Sequence, residues 1–352
     1  MTVRRSSIAW LVLGITLITS AAAARFVVLP ELSKLPADFA VSQRFEGTMS
    51  AVNPQAFLAN DLANLIGPEV PITADRTLSV NAVSGDTAIV TTDTAINLPN
   101  GSQQAETHTF AINRVDFTPV PLTQQEVRSL VPAEFQTTFR PHEGVAFSFA
   151  PNPATDGNQI FDTVTMTPQS AKFTNEGTVE GRTVNRYEVD AAGQVQNPTL
   201  LALAAQLPSR FPKALLAGLL EAGIVPRTSI PAVQAGLASL PGLVAIGLGS
   251  TNSMEMAVDK QFGTPLDVTQ TQGVYVTVAI NGQDVPVVPL SVMKLQAPPA
   301  AVTEAADTLS TNAMLLSAIG LWFPILASTF GAGLIALAVV LWRRPVAPRH
   351  GA

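Results

Sequence analysis

Two uncharged apolar stretches bound the chain, and the residues between them alternate. From Thr308 to Trp342 no side chain is charged, and from Leu315 onward nearly every residue is apolar. A helix needs roughly 20 such residues to cross a hydrocarbon core. The run predicts a transmembrane helix over 313–342, with tilt or a bend at Pro324 taking up the excess. At the other end, a mainly apolar stretch over 8–29 is interrupted only by the charge of Arg25. It predicts a second span. Ala21, Ala22 and Ala23 also fit a small-residue cleavage pattern, so a removed signal peptide is the competing reading. Phe26, Val27, Val28 and Leu29 extend the apolar run past Arg25 and favour an uncleaved anchor. Either reading exports the middle of the chain.

Between these ends the pattern has period two, the mark of half-buried strands. Runs at 37–47, 76–83, 87–96 and 106–115 are rich in Thr, Val and Ile. Turn residues separate them at Ser84-Gly85-Asp86 and Pro99-Asn100-Gly101, as in an antiparallel meander. Asn53-Pro54 signals the start of a short amphipathic helix between the first two runs. Further strands are predicted at 144–149, 161–167, 171–179 and 183–189, with Glu180-Gly181 as a tight turn. After Asp190 the period changes. Leu200, Leu203, Leu207, Phe211, Leu215, Leu216, Leu219 and Leu220 recur at helical spacing, while Pro208, Pro212, Pro226, Pro231 and Pro241 break the region into short helices. Strands resume at 253–258, 266–280 and 285–294, with Asn281-Gly282 as a hairpin turn.

The fold class is therefore a β-rich α+β ectodomain, an antiparallel meander or barrel-like body with a helical insert, flanked by two transmembrane helices. Its expected layout is a cytoplasmic tail (1–7), a span (8–29), a β-rich part (30–196), the helical insert (197–250) and further β structure (251–297). A stalk (298–312), a second span (313–342) and a second cytoplasmic tail (343–352) complete it. The insert has two readings. Its leucines bury against the β-body, or Leu200, Leu203, Phe211, Leu215, Leu216 and Leu219 form an apolar cap that takes a lipid or a partner.

Charge sharpens the membrane assignment. No Asp or Glu precedes Glu31 or follows Asp307, and the tails carry Arg4, Arg5, Arg343, Arg344 and Arg349. Basic flanks face the cytoplasm, which puts both termini inside the cell membrane and the main domain outside. Trp10, Arg25, Trp342, Arg343 and Arg344 are the expected membrane anchors. Ala327 and Gly331, with Ala332, Gly333 and Ala336, make a small-residue surface that admits another helix. Once the five tail arginines are set aside, 15 basic residues face 26 acidic ones. That balance argues against a nucleic-acid partner and leaves membrane lipid, a homo-oligomer or an envelope protein. With no cysteine, and with histidine only at His108, His142 and His350, the chain offers no thiolate chemistry and poor material for a metal centre. It holds no nucleophile elbow, phosphate loop or dinucleotide fingerprint, so neither an enzyme nor a cofactor is expected.

Several short motifs resemble a known family. Arg25-Phe26-Val27-Val28 with Leu35-Pro36, Gly144-Val145-Ala146-Phe147-Ser148-Phe149, Phe161-Asp162, and Val179-Glu180-Gly181 leading to Tyr187 are similar to stretches of the actinobacterial PorA-type porin family. The likeness extends to the two terminal helices. The chain departs from the family pattern in lacking its paired cysteines and several aromatics, and in the length of the insert. The resemblance implies a porin, yet the sequence lacks the aromatic girdles of a membrane barrel, which leaves a pore built from oligomerised helices. The layout is also similar to that of class B scavenger receptors, which implies lipid passage. The expected function is accordingly an envelope protein that binds or passes an apolar ligand such as lipid. The alternatives are a channel-forming porin-type protein and a non-catalytic structural one.

Overall fold

The computed structural model describes residues 5–343 apart from Asn60 and Gln206, and omits the side chains of residues 5–7, Leu58, Leu203 and Ala204. The chain forms two compact units. One comprises the terminal segments up to Pro36 and from Asp307; the other is Ala37–Ala306.

Helix α1 (Arg5–Ala23) runs through a π-helical turn at Ala24–Val28 into α2 (Leu29–Leu32). Strand β1 (Ala40–Ala51) leads to α3 (Pro54–Leu58). There Asn53 Oδ1 accepts from the amides of Gln55 (3.1 Å) and Ala56 (3.3 Å), the N-cap that the sequence predicts. Strands β2 (Val70–Ser84), β3 (Thr87–Asn97) and β4 (Gln103–Asn113) follow as a meander. Helix α4 (Gln124–Leu130) opens with a capping box between Thr123 and Glu126. Where alternation predicts a strand at 144–149, the chain is irregular, and Val145 makes only an isolated bridge to Ile160. Strands β5 (Gln159–Asp162) and β6 (Thr167–Ser170) form a small hairpin, and β7 (Lys172–Val179) and β8 (Arg182–Gln194) a larger one. The β7–β8 turn holds Glu180 and Gly181 at φ 45° and 77°, the left-handed geometry that a two-residue hairpin loop requires.

The helical region contains α5 (Pro198–Ala204), a short strand β9 (Arg210–Pro212), α6 (Lys213–Glu221) and α7 (Ile230–Gly236). Three long strands complete the body: β10 (Leu243–Asp259), β11 (Pro265–Ile280) and β12 (Gln283–Gln296). Asn281 and Gly282 turn the last hairpin at φ 52° and 79°. Helix α8 (Pro299–Ser317) then continues through a second π-turn at Ala318–Trp322 into α9 (Phe323–Arg343).

The main sheet has the order β4-β3-β2-β1-β12-β11-β10-β8-β7, with β9 attached to β10, and every pairing is antiparallel. Two meanders are thus joined by the first and last strands, with Glu46 opposite Gln296 and Ala51 opposite Ser291. The order ends at β4 and β7, which do not pair with each other, so the sheet is an open one and not a barrel. At the β1–β12 seam the backbones come so close that a Cβ on Gly47 would overlap the carbonyl of Lys294. The chain enters β1 and leaves β12 at one end of this pair, since β12 ends opposite Glu46 while β1 starts six residues earlier.

The insert packs on the other end of β12, beside its turn with β11. Phe211, Leu216 and Leu219 are sealed into one core with Val276, Val278, Ile280, Val285, Val287 and Val288. Helix α7 lies so close that a Cβ on Gly236 would meet Ile280. Strand β10 already begins at Leu243, inside the region expected to be helical. Its first residues do not alternate in character because Gly247 and Gly249 sit against Thr277.

Replacing Leu219 with Ala leaves a cavity in this core and is expected to cost about 2–5 kcal/mol of unfolding free energy, measurable by denaturant titration of the detergent-solubilised protein. Gly47→Ala is expected to destabilise as much or more, because the seam has no room to relax without opening the β1–β12 ladder. An Ala variant of Gly242, which faces open space, is the control and should leave the midpoint unchanged.

Candidate functional site

Three places concentrate unusual contacts or chemistry: the paired terminal helices, the helical insert, and a polar cluster on one face of the sheet.

The terminal helices are long and apolar enough to cross a membrane at Ile8–Leu32 and Pro299–Arg343. They pack against each other. Gly14 meets Gly331 so closely that a Cβ on Gly14 would lie 2.6 Å from the Gly331 carbonyl oxygen, and one on Gly331 2.7 Å from that of Gly14. Ala21 and Ala24 on one helix, and Ala327 and Ala338 on the other, are also buried. Gly14, Ala21, Ala327, Gly331 and Ala338 are all small, which lets two backbones approach where no hydrophobic driving force acts between helices. Gly14 faces Gly331 while Arg25 faces Gly320, so the pair is antiparallel and Arg5 and Arg343 lie at the same end of it. The small-residue surface read from the sequence is divided. Ala327 and Gly331 face α1, whereas Ala332, Gly333 and Ala336 face outward.

The two π-turns lie opposite each other. Arg25, in the first, donates from Nη1 to the carbonyl of Gly320 in the second at 3.1 Å. A side chain at Gly320 would collide with Leu29, 2.7 Å from its Cδ2. An arginine in an apolar helix is costly unless its donors find acceptors, and the lone glycine here opens a carbonyl to it. Of the other expected anchors, Trp10, Trp342 and Arg343 are exposed on their helices, and Arg344 lies outside the described residues.

In the insert, Phe211, Leu216 and Leu219 are buried and Leu215 packs on the same core. Leu200 packs with Val164, Val195 and Val274. Leu203 lies outside the described side chains. Leu200, Phe211, Leu215, Leu216 and Leu219 thus all pack within the body. A groove of about 260 Å³ elsewhere on the sheet is polar, with Arg186, Glu188, Glu255 and Asp267 on its walls.

The members of the polar cluster come from five separate segments, so no local sequence pattern marks it. Register puts Arg76 of β2 opposite Thr94 of β3, and Thr94 opposite Glu106 of β4. Leu78, Thr92 and His108 form the next row on the same face. Asn197, which also caps α5 by accepting from Thr199 (2.9 Å) and Leu200 (3.2 Å), donates to Glu106. His142 is wedged between Phe110 and Phe161, at ring separations of 4.9 and 4.8 Å, and its Nδ1 lies 3.0 Å from the Gly144 carbonyl. Burial would raise the Glu106 pKa, but contacts with His108 and Asn197 and the charges of His108 and Arg76 hold it below the ordinary carboxylate value. Burial lowers His142, against the opposing pull of the Gly144 and Glu143 carbonyls. Burial likewise lowers Arg76, with Glu106 pulling it back up. Among the described residues no group of His, Asp and Glu has the arrangement of a metal site.

Residues 6–340 match the family described as Porin PorA. No curated protein matches the chain. Among solved structures, the full-length peroxisomal multifunctional enzyme type 2 of Drosophila melanogaster aligns at 11% identity over 79% of this chain and 40% of its own, with a TM-score of 0.13. An acyl-CoA hydrolase of Agrobacterium tumefaciens aligns at 8% identity over 74% and 97%, with a TM-score of 0.15. An oleoyl thioesterase of Lactobacillus plantarum aligns at 8% identity over 79% and 82%, with a TM-score of 0.13. At such scores none of these alignments bears on fold or function.

Gly331→Leu is expected to separate α1 from α9; crosslinking between single cysteines placed on the two helices, in this cysteine-free chain, should fall several-fold. The polar cluster sets a pH dependence. His142 and Glu106 both have folded-state values below their unfolded ones, so the unfolded chain binds more protons and stability falls on acidification. The loss should begin as pH drops below about 6.5, the free histidine value, and continue below about 4.5, the free glutamate value, as pH falls through the folded value of Glu106. His142→Phe should flatten the upper part of this fall in melting temperature and leave the lower part in place.

Proposed function

We propose that this chain, which belongs to the porin PorA family, forms a channel by assembly of its paired terminal helices. The observation that carries this reading is the contrast between an open sheet and a closed helix pair. Strands cross a bilayer only as a closed barrel, because an open edge leaves backbone groups without partners in hydrocarbon. This sheet ends at β4 and β7, whereas the terminal helices satisfy their own backbones and have the length and hydropathy to span. A single antiparallel pair has no lumen, since Gly14 and Gly331 are in backbone contact, so a pore needs several copies.

The outward surface of the pair suits such an assembly. Thr16, Thr19, Ser20 and Thr329 are exposed on it, and the three threonines are bonded to backbone carbonyls one turn back. Such hydroxyls give a pore a wettable wall without a desolvated charge. Gly333 leaves open space for a neighbouring helix. The basic residues at the joined ends of the pair favour a cytoplasmic location for both termini, with Ala37–Ala306 outside. Membership of a porin family, with neither cysteine nor a metal cluster among the described residues, argues against catalysis.

Single cysteines at Thr16 and Thr329, with Leu326 and Phe330 as comparison positions, test the reading in planar bilayers. Charged thiol reagents are expected to block most of the current at the first two positions and little at the others. Full-length protein that leaves bilayer conductance unchanged across voltage would remove the channel reading.

A further inference from the structure

Charged and aromatic residues mark two levels on the helix pair, one membrane thickness apart. Arg25 lies 20 residues after Arg5 on one helix, and Trp342 lies 20 residues after Trp322 on the other. At a helical rise each interval is about 30 Å, the thickness of a hydrocarbon core. The two intervals run side by side, because the helices are antiparallel and Arg25 faces Gly320. Basic residues and tryptophan sit at the headgroups. Arg5 and Trp342 therefore mark the inner boundary of the membrane, and Arg25 and Trp322 the outer one. Trp322 is exposed on its helix, as a ring in a headgroup belt must be.

The apolar surface does not stop at that outer level. From Phe26 to Leu32 the first helix rises about another 10 Å, and Phe26, Val27, Val28, Leu32, Met314 and Leu315 are exposed there, Phe26 by 76% and Met314 by 73%. The headgroup layer on one side of a bilayer is only about 5–7 Å deep, so this collar rises through it into water. Glu31 confirms the level. By the register that sets Gly14 on Gly331 and Arg25 on Gly320, it lies beside Met314. It is 66% exposed and paired with Lys34 at 2.9 Å, a setting for water and not for hydrocarbon. Lipid tails therefore do not cover the collar. No charged residue interrupts it between Arg25 and Glu31 or between Asp307 and Arg343, and an uncharged patch with methionine and an aromatic ring has the composition of an interface core. We propose that the collar is covered by the collars of neighbouring copies of this chain, which together form an apolar ring just outside the membrane. The proposal rests on the channel reading for the need of several copies, and names where they touch. At the outer mouth the ring seals the gaps between helix pairs, where no lipid tail reaches.

Val27→Cys and Met314→Cys, each the single cysteine of its chain, test it in full-length protein reconstituted into dioleoyl phosphatidylcholine vesicles, with a short bis-maleimide as crosslinker. Both are expected to give crosslinked dimers and higher multimers, and the yield should hold when the vesicles are diluted several-fold with lipid. Val27→Glu combined with Met314→Glu puts carboxylates on the collar. It should lower the multimer fraction several-fold, counted by single-particle photobleaching, while crosslinking of α1 to α9 within one chain stays intact. Bands that fall to the level of random collision on lipid dilution overturn the proposal. Fast reaction of the same cysteines with a charged maleimide then shows a bare collar, and protection from it shows a collar sunk in lipid. Should the glutamate variant fail to insert, the single-cysteine crosslinks decide. Crosslinked collars in vesicles without conductance support the proposal and remove the channel reading; conductance with neither crosslinks nor an effect of the glutamates overturns the collar contact alone.

Discussion

Close backbone approach at glycine organises this molecule. Where the first strand meets the last, Gly47 leaves the Lys294 carbonyl room to sit against it. Where the first helix meets the last, Gly14 and Gly331 touch through backbone alone. Each contact lies between segments at opposite ends of the chain, and each would be closed by a single methyl group. Everything between hangs from these two seams. One meander extends from β1 to β4 and the other from β12 to β7, and neither has another strand to join it to its counterpart.

An open sheet must manage its edges. The β4 edge is partly covered by residues 138–140, which exchange hydrogen bonds with Thr109. The β7 edge carries Lys172, Glu176 and other polar residues. These devices serve a sheet in water. Membrane crossing is left to elements whose backbone groups are satisfied internally, and the division of labour between strands and helices follows from that.

Much of the architecture was legible in the sequence, because its signals are local. Asn281-Gly282 and Glu180-Gly181 both specify left-handed turn residues, and the structure places hairpins at both. The Asn53-Pro54 cap opens α3, and the uncharged run before Trp342 is helical throughout. The features that the sequence does not mark are non-local or atypical in pattern. The stretch 144–149 alternates like a strand but turns at Gly144, whose φ of 80° and close approach to Gln159 break the ladder. Leu243–Gly249 reads as apolar throughout because glycines occupy its pleat. The β1–β12 pairing unites segments about 250 residues apart, and the Arg76–His142 cluster needs the strand register before its members become neighbours. The helix-to-helix bond of Arg25 likewise depends on a single glycine, Gly320, that the sequence alone did not single out.

The β1–β12 seam also imposes an order of events on biosynthesis. Glu46 and Gln296 are partners, and at about 5–20 residues per second their separation corresponds to roughly 12–50 s of ribosome time. Throughout that interval β1 has only β2 beside it, and its other side is an unoccupied template for any extended chain nearby. The helix that follows β12 begins at Pro299, three residues after the strand ends, so emergence of the last helix and closure of the seam are nearly simultaneous. A quality-control protease or chaperone acting on this protein meets a half-built sheet with one open strand, and a truncated chain lacking β12 never leaves that state.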